Sequence, residues 1–396
     1  MTQAPVKYDY ERIPYLVAFA NNSGVRDVYG GLAEITVLES YLLKPKDRPS
    51  DTVLVFMHPI GGGAYLPMIN ALARAGHHVI YCNSRFRGTD SSLLMEKVVE
   101  DLGECIKDAK NRLGYRKVVL AGWSGGGSLS MFYQQQAQHP TITSSPTGDG
   151  PDLTKLDLCA ADGIMLLAAH ISRHGTLTEW LDASILDESD PTERDPELDL
   201  YNPDNPNQPP YTKEFLARYR QAQIDRNRRI TAWVHQKLDE LKAAGRPDDE
   251  FCFVVHGTMA DPRWLDPTVD PNERKPGTCY LGDPQVVNMS PVGLARYSTL
   301  RGWLSQWSYD EARGDGVACG KDLAVPALVI GNLGDDACTP SHTRRLFEAI
   351  GHPDKEMHEI HGATHYYAGP DQRDKLREAV SIVTDWLGRH GFAGAE

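Results

Sequence analysis

A serine set among glycines is the residue of this sequence best suited to act as a nucleophile. It is Ser124, in the pentapeptide Gly-Trp-Ser-Gly-Gly at 122–126. The apolar run 118–121 before it predicts a strand, and 126–138 after it predicts a helix. A serine on so sharp a turn needs small residues two positions before and after it. The amide of Gly125 would then lie at a helix start, where unpaired N–H groups can stabilise an oxyanion. The pattern predicts acyl transfer through Ser124.

This segment matches G-x-S-x-G in its strand–turn–helix context and resembles the α/β-hydrolase superfamily. The resemblance covers roughly residues 30–170 and 323–396. It implies an α/β fold with a mostly parallel eight-stranded sheet flanked by helices. It also implies an acid and then a histidine further along the chain, each after a strand, in the order Ser, Asp, His. A complete set of this kind needs no cofactor.

The acid is expected in the loop that follows the apolar strand predicted over 327–330. In the family that the chain resembles, an Asp stands four residues before a Pro that opens the next helix. With Pro340 as that proline, the spacing selects Asp336. Asp335 stays open, because neighbouring carboxylates cannot be ranked without geometry. The acid would accept the imidazole Nδ1–H and so fix the tautomer of the histidine.

The base is expected after the last predicted strand, where the family has a Gly-x-x-His segment. Residues 362–365 match it and place His365 in that position. An imidazole with a pKa near 6.5 can take the proton of Ser124 and return it to the leaving group. His361, four residues earlier, is the nearest alternative.

A second oxyanion donor is expected in the loop His-Pro-Ile-Gly-Gly-Gly at 58–63, which resembles the family's His-Gly-x segment. Pro59 has no N–H and cannot donate. Position selects the amide of Ile60, acting beside Gly125, and leaves Gly61 as an alternative.

Two other sets of residues could contribute to a site. His170 and His174 have metal-ligand spacing, but without a nearby acid or cysteine cluster they predict no metal site. Six tryptophans, several of which could line an apolar pocket or pack the chain, are Trp123, Trp180, Trp233, Trp264, Trp303 and Trp307. Neither G-x-G-x-x-G nor G-x-x-x-x-G-K-[ST] occurs, so the sequence gives no support for a nucleotide cofactor.

Short β-branched runs alternate with helical stretches, which predicts a parallel sheet covered on both faces. Strands are predicted at 16–20, 34–43, 52–57, 78–82, 117–121, 163–168, 327–330 and 357–360. Helices are predicted at 65–75, 93–113, 126–138, 341–350 and 371–390.

The alternation stops after residue 170 and resumes near 325. Two stretches between these points, 186–212 and 261–291, hold six prolines each and are predicted to be loops. Residues 212–244 have helical periodicity. The sequence therefore predicts a hydrolase core over 1–170 and 323–396, with a lid of helices and loops at 171–322 inserted after the sixth strand. That segment has 26 acidic against 18 basic residues.

The formal net charge of −13 argues against a nucleic-acid or anionic-membrane partner, since both would repel the chain. No apolar run of signal-peptide length begins the sequence, and none of about 18 or more residues, as a membrane span requires, occurs later. Seven scattered cysteines without a CxxC pair indicate reduced, mostly buried thiols. These features favour a cytoplasmic protein that acts on a small molecule, and they leave the oligomeric state open, a homo-oligomer included.

The sequence thus favours a serine hydrolase that cleaves a carboxylic ester, lactone or thioester of a small to medium, apolar substrate through an acyl-enzyme. The same triad could instead cleave an amide or a C–C bond. A non-catalytic ligand-binding protein on a hydrolase scaffold is the alternative from a different class.

Overall fold

The computed structural model describes residues 7–21 and 34–393. The strands in these ranges are β1 (Tyr10–Ala20), β2 (Ile35–Pro45), β3 (Thr52–Phe56), β4 (Val79–Cys82), β5 (Lys117–Ser124), β6 (Gly163–Ala169), β7 (Cys252–Val254), β8 (Tyr297–Thr299), β9 (Ala327–Asn332) and β10 (Lys355–Ile360). The helices are α1 (Pro67–Arg74), α2 (Met95–Asn111), α3 (Gly125–Gln138), α4 (Arg173–Trp180), α5 (Lys213–Ala243), α6 (Pro262–Leu265), α7 (Pro284–Asn288), α8 (Leu300–Gln306), α9 (Gly316–Gly320), α10 (Pro340–Ala349) and α11 (Gln372–Arg389).

Eight of the strands form one sheet in the order β1-β2-β4-β3-β5-β6-β9-β10. The β1–β2 and β2–β4 pairs are antiparallel, and the other neighbours are parallel. The central strands β3, β6 and β9 are buried along their whole length, as expected of apolar strands covered on both faces. The predicted fold class is confirmed, and each of the eight predicted strands lies in this sheet.

Helices cover both faces of the sheet and divide the core in two. On one face α2 and α3 pack, and Val98, Leu102 and Ile106 recur at helical spacing with almost no exposed surface. On the other face lie α1 and α11, with Leu72 and Trp386 fully buried. The carboxyl ends of β5, β6, β9 and β10 are therefore left at one edge, where ligands bind in open parallel sheets.

Residues 171–322, referred to below as the insertion, connect β6 to β9. The insertion contains α4 to α9 and a two-stranded antiparallel sheet of β7 and β8. The helix predicted over 212–244 is present as α5, and the Thr212 side chain caps it by accepting from the amide of Phe215.

One loop prediction is wrong in part, because 261–291 contains the short helices α6 and α7. Each begins at a proline that follows a capping aspartate, Asp261 or Asp283. Proline is tolerated in the first turn of a helix, where its missing N–H would have no partner in any case.

A buried ionic cluster ties the insertion to the sheet domain. The Arg263 guanidinium lies 2.6 Å from Glu179 Oε2, and its Nε donates to Asp261 at 2.8 Å. Its Nη1 donates to Thr339 Oγ1 at the start of α10 at 2.9 Å. His342, also on α10, lies 2.9 Å from Glu179. Although burial opposes it, the charges of Arg263 and His342 hold the pKa of Glu179 well below its usual value.

All seven cysteines are free, and five of them are buried. Among the described residues, no helix combines the length and the apolar character needed to cross a membrane.

Candidate active site

Ser124 occupies a strained turn between β5 and α3. It is the last residue of β5, with φ 54° and ψ −125°, a backbone conformation that residues other than glycine rarely adopt. A Cβ on Gly122 would lie 2.5 Å from the Cα of Gly127, and one on Gly126 would lie 2.6 Å from the carbonyl oxygen of Met57. The turn thus requires glycine on both sides of the serine, as the sequence pattern predicts.

His365 lies in the loop after β10, and its ring is held by one carboxylate. Its Nδ1 lies 2.7 Å from Asp335 Oδ2, and both side chains are almost completely buried. Asp335 Oδ1 accepts from the amides of Ala337 at 2.7 Å and Cys338 at 2.9 Å. Hydrogen bonds of this kind fix the acid and the tautomer of the histidine together.

The choice of Asp336 as the partner of His365 is therefore corrected to Asp335. The loop after β9 turns at once, with the Asp335 amide donating to the carbonyl of Asn332 at 3.2 Å. Oδ2 of the Asp335 carboxylate is hydrogen-bonded to His365 Nδ1, and the backbone carbonyl of Asp336 accepts from Trp264 Nε1 at 2.7 Å. The alternative base, His361, is exposed and pairs with Glu273.

Asp336 nevertheless has an unusual environment. Burial, reinforced by the charge of Asp335, raises the pKa of Asp336 to about 6. The charge of His365 acts in the opposite direction with a smaller effect.

Replacing Asp336 by asparagine is expected to stabilise the protein at pH 8 and to leave its stability unchanged at pH 4. The carboxyl titrates near 3.9 in the unfolded chain and near 6 in the folded one, so its ionisation opposes folding progressively between these values and fully above them. The gain at pH 8 should be on the order of 1–3 kcal/mol. Urea unfolding of both proteins at the two pH values measures it, and an equal gain at both would contradict the assignment.

The backbone amides that could hold an oxyanion differ in whether they already donate a hydrogen bond within the protein. In the loop after β3, Gly61 donates to the carbonyl of His58 at 2.8 Å, and Gly62 to Asn83 Oδ1 at 2.8 Å. The amide of Ile60 makes only a long 3.4 Å contact with His58 Nδ1. Gly125 begins α3, where the amide has no partner within the helix. Ile60 and Gly125 are thus the better candidates, and Gly61 is engaged elsewhere.

Ser124 and His365 line a cavity of about 450 Å³ between the sheet edge and the insertion. Of the six tryptophans, Trp123 and Trp180 line it, with the Trp123 ring centroid 4.7 Å from that of His365. Trp264, Trp303 and Trp307 are buried by packing. Polar side chains that the sequence analysis did not place in a site also line the cavity: His58, Asp90, Arg173, Tyr280 and Arg296.

One of these polar residues could have been found from the sequence. Arg173 follows β6 by four residues, and the carboxyl ends of parallel strands carry binding sites. Tyr280 and Arg296 belong to the insertion. The periodicity of the sequence does not indicate how the insertion packs over the end of the sheet. Burial, with smaller effects of Arg173 and His365, lowers the pKa of His58 to about 3, so this imidazole is neutral.

Asp335, Cys338 and His365 offer potential metal ligand atoms within 4.8 Å of one another. Burial raises the pKa of the Cys338 thiol well above its usual value, which disfavours the thiolate that a metal would bind. The Asp335 and His365 side chains already bind each other. His170 contacts Trp180 and His342, whereas His174 lies 3.2 Å from Asp315. We therefore assign no metal to these side chains.

Residues 52–160 match the family model described as the α/β hydrolase fold. Three solved structures illustrate the similarity. A monoacylglycerol lipase from Paleococcus ferrophilus is 17% identical with a TM-score of 0.44, covering 89% of this chain and 99% of that one. A siderophore hydrolase from Aspergillus fumigatus is 12% identical with a TM-score of 0.49, covering 89% and 94%. A soluble variant of a monoglyceride lipase from Saccharomyces cerevisiae is 13% identical with a TM-score of 0.45, covering 100% and 98%. No protein of curated function matches the sequence significantly.

Proposed function

We propose that this chain, a protein of the α/β-hydrolase fold, is a serine hydrolase that cleaves a carboxylic ester, lactone or thioester. The observation that carries the proposal is the buried His365–Asp335 pair on the cavity that also contains Ser124 in its strained turn. A strained serine, an imidazole and a carboxylate that orients it are the components of nucleophilic acyl transfer. A cavity of this volume fits a small-molecule substrate.

In this mechanism His365 Nε2 takes the proton of Ser124 Oγ as the oxygen attacks the carbonyl carbon. Asp335 keeps Nδ1 protonated and stabilises the imidazolium. The amides of Gly125 and Ile60 hold the oxyanion of the tetrahedral intermediate. His365 then returns the proton to the leaving oxygen or sulfur, and an acyl-enzyme remains on Ser124. Water, activated by the same imidazole, releases the acid and restores the serine.

A fluorophosphonate probe is expected to label the folded protein on Ser124 with one probe per chain. Ser124→Ala should lose both the label and the hydrolysis of 4-nitrophenyl butyrate. Ser130→Ala is a matched control, because Ser130 is a buried serine of α3, the helix that follows Ser124, and does not line the cavity. Peptide mass spectrometry of the labelled protein identifies the modified residue.

The proposal would be wrong if the folded protein took up no label, or if Ser124→Ala were labelled as fast as the unmodified protein. Loss of label in Ser130→Ala, with folding intact, would also contradict it.

A further inference from the structure

Arg173 places a guanidinium in the wall of the Ser124 cavity. It is the first residue of α4, directly after the Ser172 cap, and only 8% of its surface is exposed. Its Nη2 lies 2.6 Å from Asp90 Oδ2, and its Nε donates to Gln306 Oε1 at 3.1 Å. The guanidinium carbon lies 4.2 Å from the ring centroid of Trp307. Three contacts from two segments, the loop before α2 and the end of α8, thus fix the plane of this cation.

Two donors of the cavity wall are left over. The Nη1 of Arg173 makes no hydrogen bond within the described part of the chain, and neither does the hydroxyl of Tyr280. The two groups interact electrostatically. Burial raises the pKa of Tyr280, and the positive charge of Arg173 opposes this with a smaller effect. Both residues line the Ser124 cavity, so both groups are available to donate to an acceptor of a ligand bound there.

The charge of the cavity wall is opposite to that of the chain. Its guanidinium groups are those of Arg173 and Arg296, and its one carboxylate is that of Asp90. Arg296 binds the carbonyl oxygens of Val255 and Asn288, and it has no carboxylate partner in the residues that the structure describes. Burial lowers the pKa of Arg296 to about 10, which leaves it charged at neutral pH. The guanidinium and carboxylate groups that line the cavity therefore carry one positive charge in excess, in a protein of formal net charge −13.

We infer that the ester cleaved at Ser124 carries a free carboxylate in its acyl part, and that Arg173 Nη1 and the Tyr280 hydroxyl bind it. The inference rests on the proposed hydrolase function and names its substrate class. A carboxylate accepts hydrogen bonds from a guanidinium and from a phenol at once, and it balances the excess positive charge of the wall. A substrate with a free carboxylate differs from the apolar substrate that the sequence predicts, and the inference replaces that prediction.

The test uses pairs of 4-nitrophenyl esters of equal chain length. One member has an alkanoyl group, and the other ends in a free carboxylate, for acyl chains of four, six and eight carbons. A third series ends in a carboxamide, which keeps the acceptor oxygen and removes the charge. For at least one length, kcat/KM should be roughly 10- to 100-fold higher for the carboxylate than for both neutral esters.

Arg173→Met should lower kcat/KM for the carboxylate ester by roughly 10- to 100-fold more than it lowers kcat/KM for the alkanoyl ester of the same chain length. Arg173→Lys keeps the positive charge and should retain part of the preference. It provides the test if Arg173→Met does not fold. Tyr280→Phe should reduce the preference by roughly tenfold or less. Arg228→Met is the matched control, because Arg228 pairs with Asp310 and stacks on Tyr309 but does not line the cavity.

The inference is overturned if the unmodified protein prefers the neutral esters, or if the carboxamide is cleaved as well as the carboxylate. It is also overturned if folded Arg173 variants lose activity equally on every ester, since that indicates a structural role alone. In each of these cases hydrolysis of the alkanoyl ester through Ser124 would leave the proposed function intact. Absence of both labelling and hydrolysis would instead overturn the proposed function and this inference with it.

Discussion

Replacing Asp335 by asparagine is expected to lower kcat for ester hydrolysis by about 10³- to 10⁴-fold, whereas Asp336→Asn should stay within about tenfold of the unmodified protein. The Asp335 carboxylate accepts from His365 Nδ1 at 2.7 Å and is held by two backbone amides. An amide in its place can present an N–H to the ring, which favours the tautomer that cannot accept the serine proton. Steady-state hydrolysis of 4-nitrophenyl butyrate measures both variants.

The two variants control for each other, because they make the same chemical change at neighbouring positions of one loop. Thermal unfolding of each variant separates a catalytic effect from a loss of structure. Equal losses of kcat in the two variants, or a larger loss in Asp336→Asn, would contradict the assignment of Asp335.

Replacing Arg263 by methionine is expected to reduce the free energy of unfolding by about 3–5 kcal/mol. The guanidinium is almost fully buried between Glu179 and Asp261, and it also binds Thr339 of α10. Methionine fills a similar volume but leaves two buried carboxylates with less compensation, and an uncompensated buried charge is strongly destabilising. Urea unfolding at neutral pH measures the change.

Arg218 provides the comparison, because it pairs with Asp195 and Glu197 on the surface, where its side chain is half exposed. Arg218→Met should change the unfolding free energy by less than about 1 kcal/mol. If the two arginine variants were equally stable, the buried cluster would not be what holds the insertion to α10. Adding Glu179→Gln to Arg263→Met should recover part of the loss, since it removes one of the uncompensated charges.

The sheet was predictable because its strands are short apolar runs that period and composition identify. The bounds of the strands predicted at 52–57 and 327–330 differ by no more than two residues from those of β3 and β9. The turn at Ser124 was predictable for a similar reason, since a side chain at Gly122 or Gly126 would clash with nearby backbone atoms. Features of this kind depend on local sequence alone.

The acid was not predictable in the same way, because Asp335 and Asp336 differ only in where one turn directs their side chains. The Asp335 carboxylate is held on His365 by the amides of Ala337 and Cys338, and no spacing rule encodes those contacts. The wall of the cavity was hidden for another reason. Tyr280 and Arg296 line the Ser124 cavity because of contacts between distant parts of the chain, and a sequence pattern reports only neighbours.

The hydrogen bonds between the insertion and the loops that carry Asp335 and His365 have a thermodynamic consequence. Asn272 donates to the carbonyl of Asp335, Trp264 donates to that of Asp336, and Glu273 pairs with His361 and with the amide of Gly362. The insertion cannot detach without disturbing the loops that carry Asp335 and His365. The two parts should therefore melt in one cooperative transition. By linkage, any ligand that binds the folded protein at these two loops should raise the melting temperature of the insertion as well.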